Sequence, residues 1–488
     1  MKTKLLVLLL ALLMLVSAFA GCSNATDNPE EGSTEQESDA ESTAEDDALP
    51  PPDFDSIDMN CEFKVLQRDG AEKEEWEFEK EENPILNNAL IEKIGYLEEK
   101  YTISFSYYRI ALSDTAMIAN SIQGGEQAYD FLSYPAYHSN TLAIKGLLHS
   151  LQTVDTIDTT QIWWNKELND MLSYQGHNFF AVGSSNLSAL WRASCVFVNK
   201  DIAEDRGYAM SDIYDMVNDH TWTIDKMLEL ATDVYVDADE IEGASAGDTF
   251  GISQTVCWYP TFYGAGLMFA TKDSDGDFVV NSIDEKTVDI ITKIITYVND
   301  ESICVPLGAG IDQFSQFTDG KALFLVEGIN VSTKAKGSAT DYGILPAPLG
   351  STDQNRYYSF VHKTHNSTFS IPVDVDADKL SWIGMIIEEA NYISRKEIWP
   401  AFYETLLKGQ VAKDPESAEI LDIVFDSMVI DPGIVYSAEF DNKIRSMVST
   451  NQDSGIKSDL DTLTGVVQYD LDNIIKKYKE VIAKYKEQ

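Results

Sequence analysis

The sequence predicts an α/β protein whose folded part divides into two lobes. Short apolar runs that read as strands alternate with stripes at helical spacing, which is the βαβ rhythm of a largely parallel sheet covered on both faces. Roughly 430 residues follow an unpatterned N-terminal stretch, too many for one core and a natural length for two. The chain is 44% hydrophobic and 11% aromatic, enough apolar material to fill both.

The first element carries no fold. Lys2 and Lys4 precede an unbroken apolar run from Leu5 to Val16, too short to serve comfortably as a transmembrane helix, and residues 1–21 read as an export signal. The small residues Ser17, Ala18, Ala20 and Gly21 then lead into Cys22, a series that resembles the lipobox of bacterial lipoproteins. That resemblance implies that the Cys22 thiol takes a lipid and becomes the mature N-terminus. Residues 22–57 are rich in Ser, Thr, Asp and Glu, contain Pro50-Pro51-Pro52, and have no Lys or Arg after Cys22. Such a segment buries too little apolar surface to offset its ordering entropy and reads as a disordered acidic tether, with a reach on the order of 30 Å.

Net charge restricts the partners. At −45 over 488 residues the chain lacks the clustered Lys and Arg that phosphate binding requires, so nucleic acid is not expected. Cys61, Cys195, Cys257 and Cys304 form no C-x-x-C pair, and they read as small core residues although export permits disulfides.

In the folded part, Glu62 to Gln67 reads as a strand. Leu86, Leu90, Ile94 and Leu97 make one helical stripe, Ile103 to Tyr108 is the next strand, and Tyr129 to Ser133 another, before a helix over Ser139 to Leu147. Trp163 to Leu172 reads as helix, while Asn178 to Val182 and Cys195 to Val198 are extended. Thr223 is placed to cap a helix with Asp225 in its first turn. Phe278 to Val280, Ala322 to Val326 and Tyr342 to Leu345 are strands, Val288 to Val298 a helix, and from Lys379 the chain is mostly helical.

The series Val198-Asn199-Lys200-Asp201, Thr221-Trp222-Thr223, Gly320-Lys321-Ala322 and Asp341 to Pro348 resembles the family 1 extracellular solute-binding proteins, the lipid-anchored receptors of ABC importers, many of them for sugars. Trp399 to Glu404 and Met428 to Gly433 are similar to the C-terminal helices of the branch common in Gram-positive bacteria. The resemblance covers about residue 60 to 488 and implies a class II periplasmic-binding-protein-like fold, in which each lobe is a mostly parallel sheet flanked by helices. It implies an N-terminal lobe of 58–190 plus about 345–372, and a C-terminal lobe of about 191–344 plus 373–488, hinged around a cleft. It also implies a non-enzymatic monomer without cofactor or metal, anchored on the extracellular face of the membrane of a Gram-positive bacterium. Such a protein captures a carbohydrate and delivers it to permease subunits. A receptor for a peptide or a uronate, and a surface-tethered glycoside hydrolase, are the alternatives.

Candidate ligand residues follow from aromatic and polar groups near strand ends. Trp258, Tyr259 and Tyr263 belong to a run of four aromatics in six positions, which suits the C–H face of a sugar ring and equally suits a core. Tyr134, Tyr137 and His138 follow a strand end and precede a helix, where backbone N–H groups face a cleft. Trp191 and Arg192 lie at the implied first crossing, the Arg either gripping a hydroxyl pair or carboxylate or serving as an internal ion-pair partner. Glu327 follows the Ala322 strand, as a hydroxyl acceptor or as part of a turn.

Three patterns are set aside. Gly243-Ala244-Ser245-Ala246-Gly247 matches a nucleophile elbow but has no strand before it. Asp273, Asp275 and Asp277 imitate a calcium loop but have Phe278 where that loop needs Gly, so a hairpin turn is expected. Asp233, Asp237, Asp239, Glu242 and Asp248 could gather around calcium in a surface loop, but no bound metal is expected. No H-E-x-x-H, P-loop or Rossmann glycine fingerprint is present.

Overall fold

β1 (Cys61–Arg68) is the centre of the first sheet, because Phe63, Val65 and Leu66 are all fully buried between covering layers. The computed structural model describes residues 50–485 apart from 70–74, 77–83, 112–113, 240, 255–257, 335–337, 339 and 410–414. The leader, Cys22, most of the tether and Cys257 lie outside the described residues. Among those described, Cys61, Cys195 and Cys304 are unpaired thiols, and no helix is long and apolar enough to cross a membrane.

α1 (Pro84–Tyr101) lays Leu86, Leu90, Ile94 and Leu97 against the first sheet, the stripe expected from their spacing. β2 (Ile103–Ile110), α2 (Thr115–Gly124), β3 (Phe131–Pro135) and α3 (Ala136–Ala143) complete the βαβ run. β2 and β3 flank β1 in parallel, with Val65 beside Phe131. The chain then crosses through α4 (Leu187–Trp191) into β4 (Ser194–Asn199). β5 (Phe250–Gln254), α5 (Tyr259–Gly264), the hairpin β6 (Ala270–Lys272) and β7 (Phe278–Val280), β8 (Ala322–Gly328) and β9 (Tyr342–Pro346) follow. Thr223 and Asp284 cap their helices through side-chain oxygens that accept from Lys226 N and Thr287 N.

The second sheet has the order β5-β8-β4-β9 and departs from the expectation of mostly parallel pairing. β5 pairs with β8 in parallel, but β4 pairs antiparallel with both β8 and β9. One reversed strand, the one that enters from the other lobe, is inserted between two that share a direction. The first sheet has the matching feature, since β11 (Ser367–Ser370) returns from the second lobe and pairs antiparallel with β3. β10 (Ser359–Phe360), on the way back, pairs with β12 (Met428–Val429).

A second difference concerns the C-terminal helices, expected mainly on the second lobe. α6 (Ala377–Ile393) buries Ile383, Ile386, Ile387 and Ala390 in the same cluster as Phe63, Val65 and Leu97, so it belongs to the first-lobe core. Each aliphatic side chain buried this way contributes about 1.5–3 kcal/mol, and the helix follows its apolar face. After a π-turn at Ser394–Ile398, α7 (Pro415–Asp426) packs on β9, and α8 (Glu439–Ser449) packs on the helix Glu285–Val298. α9 (Ile456–Tyr485) touches both lobes: it lies on β7, while Tyr478 stacks on Phe179 and its hydroxyl donates to Asn140 Oδ1 at 3.0 Å.

Candidate functional site

The carboxyl ends of β1 and β3 in one sheet and of β8 in the other converge on the two crossing segments, the position at which open α/β sheets take ligands. A cavity of about 310 Å³ lies there. Arg192 and Ser194 border it from the first crossing, and Glu327 and Gly328 from the end of β8. Phe360, His362 and His365 come from the returning segment, and Tyr259, Pro260 and Arg445 from α5 and α8. A second cavity of about 200 Å³, bordered by Trp164, Gly183, Trp399 and Met428, is away from those strand ends.

Tyr259 is the hub of the cavity wall. Its hydroxyl donates to Asp441 Oδ1 at 2.6 Å, receives the Arg445 guanidinium, and meets His362 Nε2 at 3.0 Å. Arg445 Nε donates to the same Asp441 oxygen at 2.7 Å, and Lys363 Nζ is 3.2 Å from Oδ2. Thr364 N donates to His362 Nδ1 at 3.2 Å, which assigns the His362 proton to Nε2 and makes the imidazole a donor toward Tyr259. His365 Nδ1 is 3.0 Å from His362 Nδ1.

The sequence accounts for this wall locally. Tyr259 and Tyr263 are four apart on α5, so both reach Phe360, with ring centroids 5.1 and 4.0 Å away. Asp441 and Arg445 are likewise one turn apart on α8. Asp431 anchors the far side of the stack, accepting from Tyr263 Oη, Phe269 N, Ala270 N and Gly433 N.

Electrostatics follow from burial and crowding. Burial depresses His362 well below the ordinary imidazole value, with His365, Lys363 and Arg445 adding to it against Asp441. His365 is pushed down to about 4 by burial and by Arg192, Arg68 and Arg445. Burial raises the Asp441 carboxyl, but Lys363, Tyr259 and Arg445 outweigh it and hold the group below the usual carboxylate range.

The nine nominated residues divide into three groups. Arg192, Tyr259 and Glu327 border the cavity. Tyr137 and His138 stand at its first-lobe edge: Tyr137 N donates to Lys363 O at 3.2 Å and its ring lies 5.2 Å from Lys363 Nζ. His138 Nδ1 bonds Thr115 Oγ1 at 2.7 Å, and burial with Arg68 and Lys363 pushes its pKa down to about 4. Tyr134, Trp191, Trp258 and Tyr263 are buried in the packing behind. Trp191 sets its ring edge-on against Phe402, and Trp258 packs among Tyr259, Phe262, Tyr263 and Phe269, so both indoles are core.

His362, His365, Lys363, Phe360, Arg445 and Asp441 were not among the nominated residues. Two of the six histidines of the chain fall within four positions on the returning segment, a signal available in the sequence. Arg445 and Asp441 offered only an i,i+4 ion pair, and nothing local ties them to Tyr259, 182 positions from Asp441. Cys22 lies outside the described residues. Of the acidic loop residues, Asp237, Asp239 and Asp248 come together, with Asp248 accepting from Ser245 N and Ala238 N.

No protein-family model matches the chain, and no curated protein matches it. Solved structures do. An ABC substrate-binding protein from Listeria monocytogenes in complex with cycloalternan is 17% identical, with 86% of this chain and 98% of that chain covered and a TM-score of 0.55. A solute-binding protein from Thermotoga lettingae bound with alpha-D-tagatose is 16% identical over 84% of this chain and 99% of that one, also at 0.55. One from Agrobacterium radiobacter K84 in complex with ribitol is 12% identical over 87% and 99%, at 0.53. At these identities the likeness is one of fold: the chain has the two-lobe architecture of ABC transporter solute-binding proteins.

Proposed function

We propose that this chain is a non-enzymatic receptor that captures a carbohydrate between its lobes outside the cell and delivers it to the permease subunits of an ABC importer. The observation that carries the reading is the cavity at the converging strand ends, where Tyr259, Glu327, Arg192 and His365 supply an aromatic surface beside hydrogen-bonding groups. Sugars and polyols in the solved neighbours support that class of solute. Cys22 would carry the lipid that holds the protein at the membrane face, and the acidic stretch behind it would be the tether. Ligand would act by favouring the closed arrangement of the lobes, through contacts made by both only when closed.

A thermal-shift screen of the purified chain against mono- and oligosaccharides, polyols and peptides tests this. Saturating ligand that binds only the folded state raises the melting temperature by mass action, and the sugar should be recovered intact. A shift with peptides alone overturns the carbohydrate reading, and the appearance of new reducing ends overturns the non-enzymatic one.

A further inference from the structure

The charge around the cavity is opposite in sense to the chain. Asp and Glu outnumber Lys and Arg by 81 to 36 overall. Arg192 and Arg445 border the cavity against the single carboxylate of Glu327 among the described lining residues. Two more cations stand just behind. Lys363 is buried against Asp441, and Arg68, at the end of β1, donates from Nη1 to Thr364 O at 2.8 Å between the two histidines. Of the other carboxylates nearby, Asp441 is the partner of both Lys363 and Arg445, and Asp431 accepts from three backbone N–H groups.

The histidines register the same field. His138, His362 and His365 approach the cluster from α3 and from the returning segment, and the neighbouring cations help to keep all three neutral. Neutral imidazoles add donors without adding charge. Arg is the side chain suited to such a place, because its planar fork matches the two oxygens of a carboxylate or similar group. Two guanidinium groups border the cavity with one carboxylate among the described lining residues, a balance that an anionic group on the ligand matches better than a neutral one.

We propose that the captured solute bears an oxyanion, a carboxylate or an ester sulfate or phosphate, seated between Arg192, Arg445 and the His362–His365 pair. This rests on the receptor reading above and specifies its solute: an acidic sugar in preference to its neutral counterpart. A hydrogen bond between charged partners is about twice as strong as a neutral one, enough for discrimination of roughly 10-fold or more.

The test is calorimetric titration of the purified chain with galacturonate and digalacturonate against galactose and digalactose, with galactose 6-sulfate and galactose 6-phosphate as further arms. The expected result is at least about 10-fold tighter binding of one acidic form, whichever oxyanion it carries, falling to within about 2- to 3-fold of the neutral sugar in Arg192→Gln. As a control independent of any substitution at the crossing, the wild-type chain is also titrated at low and high salt. Acid binding should weaken while neutral-sugar binding holds, as screening requires. Tighter or equal binding of neutral sugars, or a preference unchanged in Arg192→Gln and by salt, overturns the proposal and leaves the receptor intact. Binding of succinate or citrate without any sugar keeps the oxyanion and overturns the carbohydrate, whereas silence of every acid overturns the oxyanion.

Discussion

Replacing Asp441 by Asn isolates what holds the cavity wall together. The substitution keeps the shape and removes the charge that faces Lys363 at 3.2 Å and Arg445 at 2.7 Å. The Asp441 and Lys363 side chains are only 8% and 6% exposed, so water cannot replace the lost partner. Removing one member of such a buried pair costs about 3–5 kcal/mol, mainly as the desolvation of the cation left behind. Arg445, half-exposed, adds little, because solvent screens it. Unfolding entropy of about 2.1 cal/mol/K per residue over roughly 430 residues is about 0.9 kcal/mol/K, so the melting temperature should fall by about 3–5 °C at pH 7.

The pH dependence sharpens the test. Lys363 already lies below the ordinary lysine value through burial, with Asp441 working against that fall. Without Asp441 it falls further, and a lysine whose folded value is depressed gains stability as pH rises from that value toward 10.5, where the unfolded chain gives up its proton. The Asp441→Asn deficit should therefore shrink between pH 7 and pH 10. Adding Lys363→Met should recover most of it, giving a coupling of about 1–3 kcal/mol by denaturant titration of both single variants and the double. A deficit under about 1 kcal/mol, or additive single effects, would refute the claim that the pair is desolvated.

Trp258→Ala should lower stability by about 3–5 kcal/mol in chemical unfolding, since the ring is fully buried among aromatics, and a stable variant that had lost only affinity would contradict its core position. Glu388 accepts from Trp164 Nε1 and Asp158 N at 2.7 Å, and burial pushes it up to about 7. Its folded value lies above the unfolded one, so it contributes stability that declines as pH rises from 4.5 to about 7, and Glu388→Gln should flatten that slope in melts across the window. Gly251→Ala should cost about 1–3 kcal/mol, because a Cβ there would press on the Ala231 carbonyl, and calorimetry of the variant reads the loss directly.

Strands with strong local patterns were legible within two residues of their ends. Ile103 to Tyr108 alternates large side chains with serine and Ala322 to Val326 is a fully buried apolar run, and they lie within β2 and β8. β11 escaped notice because Ser-Thr-Phe-Ser offers one large apolar side chain, and it is a strand only because the exposed edge of β3 is there to pair with. The extended segment before Trp258 is β5, whose bounds the sequence does not give because Gly251 interrupts its pattern where the backbone packs close to Ala231. At the site, aromatic density points to the right helix but does not separate the cavity ring, Tyr259, from Trp258 and Tyr263. Helical phase decides that Tyr259 reaches the cavity while Trp258 turns inward, and phase could not be fixed without the helix start. The cationic half of the cavity is assembled from segments far apart in sequence, and no local signal joins them.

The same serine-rich chemistry ties the connections between the lobes together. Glu75 accepts from Ser188 N at 2.8 Å, from Ser133 Oγ at 2.8 Å and from Ser367 Oγ at 2.6 Å, which ties the first crossing, β3 and the returning strand to one carboxylate. Ser185 Oγ meets Ser394 Oγ at 2.8 Å, and Lys93 Nζ joins Ser394 Oγ to the Glu75 carbonyl, bringing in the π-turn that follows α6. Burial drives both ionisable groups of this knot toward neutrality, Glu75 up to about 7 and Lys93 down to about 7, so its cohesion comes from hydrogen bonds between short side chains with few rotamers to lose. Short tethers of this kind cannot stretch without breaking. The three connections are therefore held together at the first lobe. Arg192 follows Ser188 on the first connection and His365 precedes Ser367 on the second, so the groups proposed to hold the oxyanion stand beside this knot.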